Sequence, residues 1–181
     1  HKTDYFRFKY LRDNGGTWCD MDMVLIKKPP ADDTIICSEF TLQKGGRKSL
    51  KPHKPSIFFL RLPKQHPLMI QMCDKMIKNK YTEDINYGVN IKLFGKLCDK
   101  LKVEPVKPEQ YAPINWSNVK EMFYNDKLLL PEKYGIKEPS WENIWQNSIG
   151  IHFWNKFIST KNIQLEKATN NSVYKYVKNL H

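Results

Sequence analysis

Apolar residues recur along this chain at two spacings, and the spacings divide it into elements. Over residues 2–13, Tyr5, Phe8 and Leu11 or Arg12 fall on one face of a predicted helix. Asn14-Gly15-Gly16 stops it, because glycine accepts the left-handed backbone that a helix end wants. A strand follows around 19–26, and Pro29-Pro30 closes it. "TIICSEF" (34–40) and "SIFFLRL" (56–62) are two more predicted strands, joined by the basic, glycine- and proline-punctuated loop "LQKGGRKSLKPHKP". His66-Pro67 leads into a helix near 67–79 with Met69, Met72, Cys73 and Met76 on one face, a stripe that reads as core filler. Residues 88–101 make another helix. "KVEPVKP" reads as a short edge strand, since its prolines cannot donate to a ladder. In "PINWSNVKEMFY" Ser117 is placed to cap a short helix. Residues 126–140 are polar and irregular, "SIGIHFW" (148–154) alternates like a strand, and a last helix is expected over 164–179. Strands alternating with helices predict an α/β domain. No repeat, low-complexity tract or linker asks for a second one, so 1–181 reads as a single domain.

Composition narrows the class. Hydrophobic residues make up 40% and aromatics 13%, a globular balance. No apolar run reaches membrane-spanning length. The chain starts at His1, without initiator Met or signal peptide, inside a helical pattern, which reads as a fragment lacking its upstream part and any anchor there. The net charge of +11 favours an anionic partner such as nucleic acid, an anionic membrane face or a phosphorylated ligand. The lysines are spread along the chain, however, and a solvated lysine-rich surface is the simpler reading. Cys19, Cys37, Cys73 and Cys98 form no CxxC pair and have no His at zinc-finger spacing, while disulfides stay open.

The candidate chemistry begins at Asp20 and Asp22, at the entrance to the strand that carries Val24, Leu25 and Ile26. Side chains two apart in a strand share a side, so the two like charges call for a cation between them. Hard oxygen ligands suit Mg²⁺ or Mn²⁺. With 10 Asp in 181 residues, chance alone gives roughly 0.5 such D-x-D pairs, so the weight lies in the context. Asp4 and Arg7 share a helix face that ends at the same Gly-Gly turn; the simple alternative is a surface ion pair. In "IGIHFWNK", Gly150, His152 and Trp154 share one face of the predicted strand, with Asn155 and Lys156 next. Glycine leaves room for a ligand, Trp154 offers an apolar wall, and Lys156 is a point charge suited to phosphate. No phosphate loop and no nucleophile elbow occurs.

These stretches together resemble the glycosyltransferases with a DXD sugar-binding region, in which a helix carrying S-D-x-x-R runs into a Gly-Gly turn and Y-x-D-x-D. "HKTDYFRFKYLRDNGGTWCDMDMVLIK" matches in spacing. "PEQYAPINW" (108–116) resembles the P-x-x-F-Y-P-I-x-W stretch, and "IGIHFWNK" the A-V-H-x-W-N-K stretch, of the animal α-1,4-galactosyltransferase and α-1,4-N-acetylglucosaminyltransferase group. Two segments depart: "YGVN" (87–90) lacks the proline of the usual N-G-P, and "KPSIFF" replaces a usual Asn-Gly-Ala.

The resemblance implies a GT-A fold, a Rossmann-type sheet flanked by helices, whose N-terminal nucleotide-binding part is missing from this chain. It implies a retaining hexosyltransferase that moves galactose or an N-acetylhexosamine from a nucleotide-sugar, most often a UDP-sugar, to a glycolipid or glycan acceptor. Mn²⁺ or Mg²⁺ would sit at the DXD. Asp22 would bind the metal directly, Asp20 the metal or the ribose, and His152 the metal or the diphosphate. Asp4 and Arg7 would hold donor sugar hydroxyls, with Trp154, Asn155 and Lys156 also on the donor. No residue is assigned as nucleophile. The animal enzymes are Golgi type II membrane proteins with lumenal catalytic domains; a cytoplasmic location is the alternative. The competing readings are a GT-A-fold binding protein without turnover and a basic nucleic-acid-binding domain. The latter lacks an interleaved aromatic and basic stripe, so no nucleic acid is expected.

Overall fold

The structure is a computed structural model that describes residues 2–41, 53–78, 87–124, 146–170 and 172–179. Two compact units share the chain, one built from 1–20, 30–41 and 53–107, the other from 21–29, 42–52 and 108–181. Most of the predicted 42–55 loop and the 126–140 segment lie outside the described residues. Among those described, no helix is long and apolar enough to cross a membrane.

The first unit is helices on a sheet. Helix α1 (Lys2–Asn14) leads into strand β1 (Gly16–Cys19); strands β3 (Ile35–Phe40) and β4 (His53–Leu62) follow, then helices α2 (Pro67–Lys78) and α3 (Tyr87–Leu101). The sheet is antiparallel, in the order β1-β4-β3. Phe8 and Leu11 of α1, Met69, Met72 and Cys73 of α2, and Phe94 of α3 join Ile57, Leu60 and Leu62 of β4 in one buried cluster. The methionine stripe is core, and the Phe8 and Phe94 rings stack at 5.9 Å.

The β3–β4 ladder is irregular between Ile36 and Ser38. Ile36 faces Leu60, but Ser38 faces Pro55, so the stretch 56–59 opposes Cys37 alone. The buried Cys37 thiol fills that gap: it donates to Ser56 O (3.4 Å) and accepts from Phe59 N–H (3.2 Å). Burial pushes this thiol well above the usual range, which keeps it inert. The interrupted pairing leaves the Ile57 carbonyl for another donor, the Arg7 side chain (2.7 Å), while on the other side of β4 the β1 register continues one residue further, Asp20 N–H donating to Phe58 O (2.8 Å).

The predicted edge strand "KVEPVKP" is not one. Pro105 and Pro108 have no N–H, and this extended run meets β3 through Val106 N–H to Ile36 O and Ser38 Oγ to Val106 O. Among the described residues, no disulfide joins Cys19, Cys37, Cys73 or Cys98.

In the second unit, β2 (Met23–Leu25) pairs antiparallel with β5 (Gly150–His152), Met23 opposite His152 and Leu25 opposite Gly150. A Cβ at Gly150 would come within 3.0–3.2 Å of Met23, Leu25 and Val24, so this position admits only glycine without a shift. Around the ribbon lie α4 (Pro108–Tyr111), a 3₁₀ turn (Trp116–Asn118) and α5 (Glu121–Tyr124). They are followed by α6 (Asn155–Thr160), a second 3₁₀ turn (Leu165–Lys167) and α7 (Val173–Lys178). Buried Phe123 packs against Tyr174 and Phe153. The cap of the first 3₁₀ turn is Asn115, which accepts from Ser117 N–H, rather than Ser117 itself. The single helix expected over 164–179 is two short pieces. Extended backbone at Ala168 ends the first, and Ser172 caps the second by accepting from Lys175 N–H.

The largest correction concerns 19–26. It is not one strand: β1 ends at Cys19 and pairs with β4, β2 starts at Met23 and pairs with β5, and Asp20-Met21-Asp22 forms the turn between them. The chain leaves one unit and enters the other within the D-x-D. The shared-face argument for the two carboxylates therefore does not hold, because period-2 alternation needs continuous strand backbone.

Gly15 closes α1 at φ 70°, and a Cβ there would stand 2.5 Å from the Lys64 backbone nitrogen, whereas Gly95 in mid-α3 has open space around it. In urea denaturation Gly15→Ala should cost about 2 kcal/mol or more, and Gly95→Ala should gain about 0.5–1 kcal/mol. Equal effects at the two sites contradict this account. At the start of α2, His66 Nδ1 accepts from Leu68 N–H (3.2 Å), which only neutral imidazole can do. Burial lowers the His66 pKa from 6.5, so the folded chain binds its proton less readily than the unfolded chain. The stability tied to His66 is complete above pH 6.5 and falls as pH drops through that value toward the lower folded pKa. His66→Asn keeps the cap and should flatten the difference in urea midpoint between pH 7 and pH 5; an unchanged pH profile refutes the role.

Candidate functional site

In the first unit, α1 carries Asp4 and Arg7 on its inner side, each only 6% exposed. Arg7 does not pair with Asp4. Its Nη2 donates to Asp20 Oδ1 (2.8 Å), its Nη1 to Ile57 O (2.7 Å), and its guanidinium lies 4.9 Å from the Trp18 ring. Trp18 Nε1–H donates to the same Asp20 oxygen (2.7 Å). One carboxylate oxygen thus receives two donors, one of them charged, which fixes the direction in which Asp20 points. The Arg7 Nε–H is buried without a partner among the described residues. An unspent buried donor costs free energy unless a ligand or water meets it. Asp4 Oδ2 accepts from the Asn90 side-chain amide (3.1 Å), and Asn90 is itself buried.

In the second unit, Asp22 stands one residue before β2, and its own carbonyl accepts from Phe153 N–H (2.8 Å). That bond and the Met23–His152 register bring the His152 ring to the Asp22 side chain. His152 Nε2 lies 3.0 Å from Asp22 Oδ1, and Asn155 N–H donates to Asp22 Oδ2 (2.8 Å). His152 is 6% exposed, while the Asp22 side chain retains 26% exposure. Burial pushes the Asp22 carboxyl up, but the His152 bond and charge together with the Asn155 N–H outweigh it. Its pKa falls below the usual value, so Asp22 is ionised at neutral pH. An anionic oxygen beside an imidazole nitrogen, with an open flank, is a donor set suited to a borderline-hard divalent cation.

The remaining sequence-predicted residues fall beside this pair in different ways. Trp154 is not on the strand face shared with Gly150 and His152. It follows β5 with left-handed backbone, its indole N–H is committed to Ile114 O (2.8 Å), and its ring lies 3.9 Å from the His152 ring. Asn155 meets Asp22 through its backbone rather than its side chain. Lys156 is exposed, and its ammonium makes no hydrogen bond or ion pair among the described residues. The structure thus brings together Arg7 with Asp20, and Asp22 with His152, Trp154 and Asn155.

Sequence reasoning missed Asn90. Its signal is a polar residue on the apolar stripe of a helix, in line with Ile91, Phe94, Leu97 and Cys98. The roles of Trp18 and of the 154–155 backbone left no such mark, because they depend on tertiary hydrogen bonds.

A family model described as the alpha 1,4-glycosyltransferase conserved region matches residues 89–181, just over half of the chain. The matched span contains Asn90, His152, Trp154, Asn155 and Lys156, and Asp4, Arg7, Asp20 and Asp22 precede it. Neither the curated proteins nor the solved structures contain a match. With β5 and its His152 inside that span, the chain belongs to the alpha-1,4-glycosyltransferase family and is a glycosyltransferase, an enzyme that takes a sugar donor and an acceptor.

Proposed function

We propose that this chain carries part of the donor site of a divalent-ion-dependent, retaining hexosyltransferase that takes galactose or an N-acetylhexosamine from a UDP-sugar to a glycan or glycolipid acceptor. The observation that carries the reading is the Asp22–His152 contact at 3.0 Å, held by the β2–β5 register and by Asn155 N–H. Asp22 and His152 would hold Mn²⁺, or Mg²⁺. The resemblance of the D-x-D stretch gives Asp20 to the ion or the ribose. Bound there, the ion would neutralise charge developing on the departing diphosphate.

The chain's own residues divide the remaining work. Arg7 is fixed by Asp20 and Ile57 O, and its unspent Nε–H could donate to a sugar hydroxyl; Asp4, set by Asn90, would accept from another. The exposed Lys156 ammonium suits a diphosphate oxygen. Oriented charge-assisted bonds of this kind fix the reacting carbon without covalent catalysis. No residue is assigned as nucleophile. The same reading puts this region on the lumenal side of the Golgi membrane.

Binding to the folded state raises apparent stability by mass action, about 2.7 kcal/mol at a hundredfold excess over Kd. Mn²⁺ with a UDP-sugar should therefore raise the thermal midpoint by several degrees, and Asp22→Asn, which can still accept from Asn155 N–H, should lose that shift while folding normally. A full shift in Asp22→Asn overturns the ligand assignment. With donor and Mn²⁺ present, transfer by Asp22→Ala should fall to background, and retained transfer would sink the proposal.

A further inference from the structure

Trp154 sits at the junction of β5 and α6 with φ 56° and ψ 49°, a left-handed backbone that bulky side chains seldom adopt. Glycine would take this conformation without strain. The tryptophan is held there by burial to 7% exposure and by its indole N–H on Ile114 O (2.8 Å). Two consequences meet at the Asp22–His152 pair. The anchored ring lies over the His152 imidazole, with centroids 3.9 Å apart and planes tilted by 41°. The backbone turn at 154 separates two N–H groups that reach the same residue: Phe153 N–H binds Asp22 O, and Asn155 N–H binds Asp22 Oδ2, both at 2.8 Å.

We propose that Trp154 is a positioning residue for the metal-binding pair, its ring setting the plane of the His152 imidazole and its kinked backbone delivering the Asn155 N–H that orients Asp22. This rests on the proposed metal role of Asp22 and His152, and it gives Trp154 a task other than contact with the donor. The indole N–H is already spent on Ile114, and what the ring faces is a ligand side chain rather than open solvent. Partners that orient metal ligands typically change affinity by 10–100-fold when removed.

The test uses Mn²⁺ alone, its binding read from loss of the free-ion electron paramagnetic resonance signal, on the native chain, W154L, W154F and D22N. W154L keeps apolar bulk but no flat ring and should bind at least about tenfold more weakly. W154F restores a ring over His152 and should stay within about threefold of native. A second measurement does not depend on any variant folding: in the native protein the His152 ring protons should be displaced upfield by the indole ring current. D22N that binds Mn²⁺ like the native chain overturns the metal reading itself. W154L within threefold of native while D22N loses binding overturns the Trp154 role alone, as do His152 ring protons without the upfield displacement.

Discussion

A carboxylate drawn partly out of water must find donors or change its charge, and this requirement organises the surroundings of Asp20 and of Asp22. Asp22 answers it with the His152 imidazole and one backbone N–H. Asp20 answers it with the Arg7 guanidinium and the Trp18 indole. Each set of donors comes from a different element, so each carboxylate is held only when those elements are folded. The register of the β2–β5 ribbon sets the Asp22–His152 contact: slipping it by one residue would turn His152 to the other face.

The fold supplies these donors through its irregularities. In the first unit, the interrupted β3–β4 pairing leaves the Ile57 carbonyl to seat the Arg7 side chain. In the second, the left-handed Trp154 aims the next N–H at Asp22. Regular strands would have spent those backbone groups on their own ladders. Departures from local rule concentrated at a site are what a site that stores strain or redirects groups requires.

Much of this was legible in the sequence, and what was not has a common cause. The helix faces of α1 and α2 follow from apolar periodicity, and Gly15-Gly16 does end α1 with positive φ at both residues. The pairing of Asp22 with His152, 130 residues apart, was suggested by motif resemblance and not by pattern. The break at Asp20-Met21-Asp22 was not legible, since "CDMDMVLI" carries a continuous strand signal and only partner choice splits it into β1 and β2. The same holds for the Trp154 backbone, whose meaning comes from residues far away in the chain, whereas Asn90 left a mark as a polar residue on an apolar helix stripe.

The central claim is that the His152 nitrogen and the Asp22 carboxylate serve one divalent ion. Pulsed electron paramagnetic resonance of Mn²⁺ bound to protein carrying ¹⁵N-labelled histidine tests it most directly. The account predicts coupling to a single imidazole nitrogen that vanishes in His152→Gln. Mn²⁺ bound with no histidine coupling, or with coupling that survives His152→Gln, contradicts it.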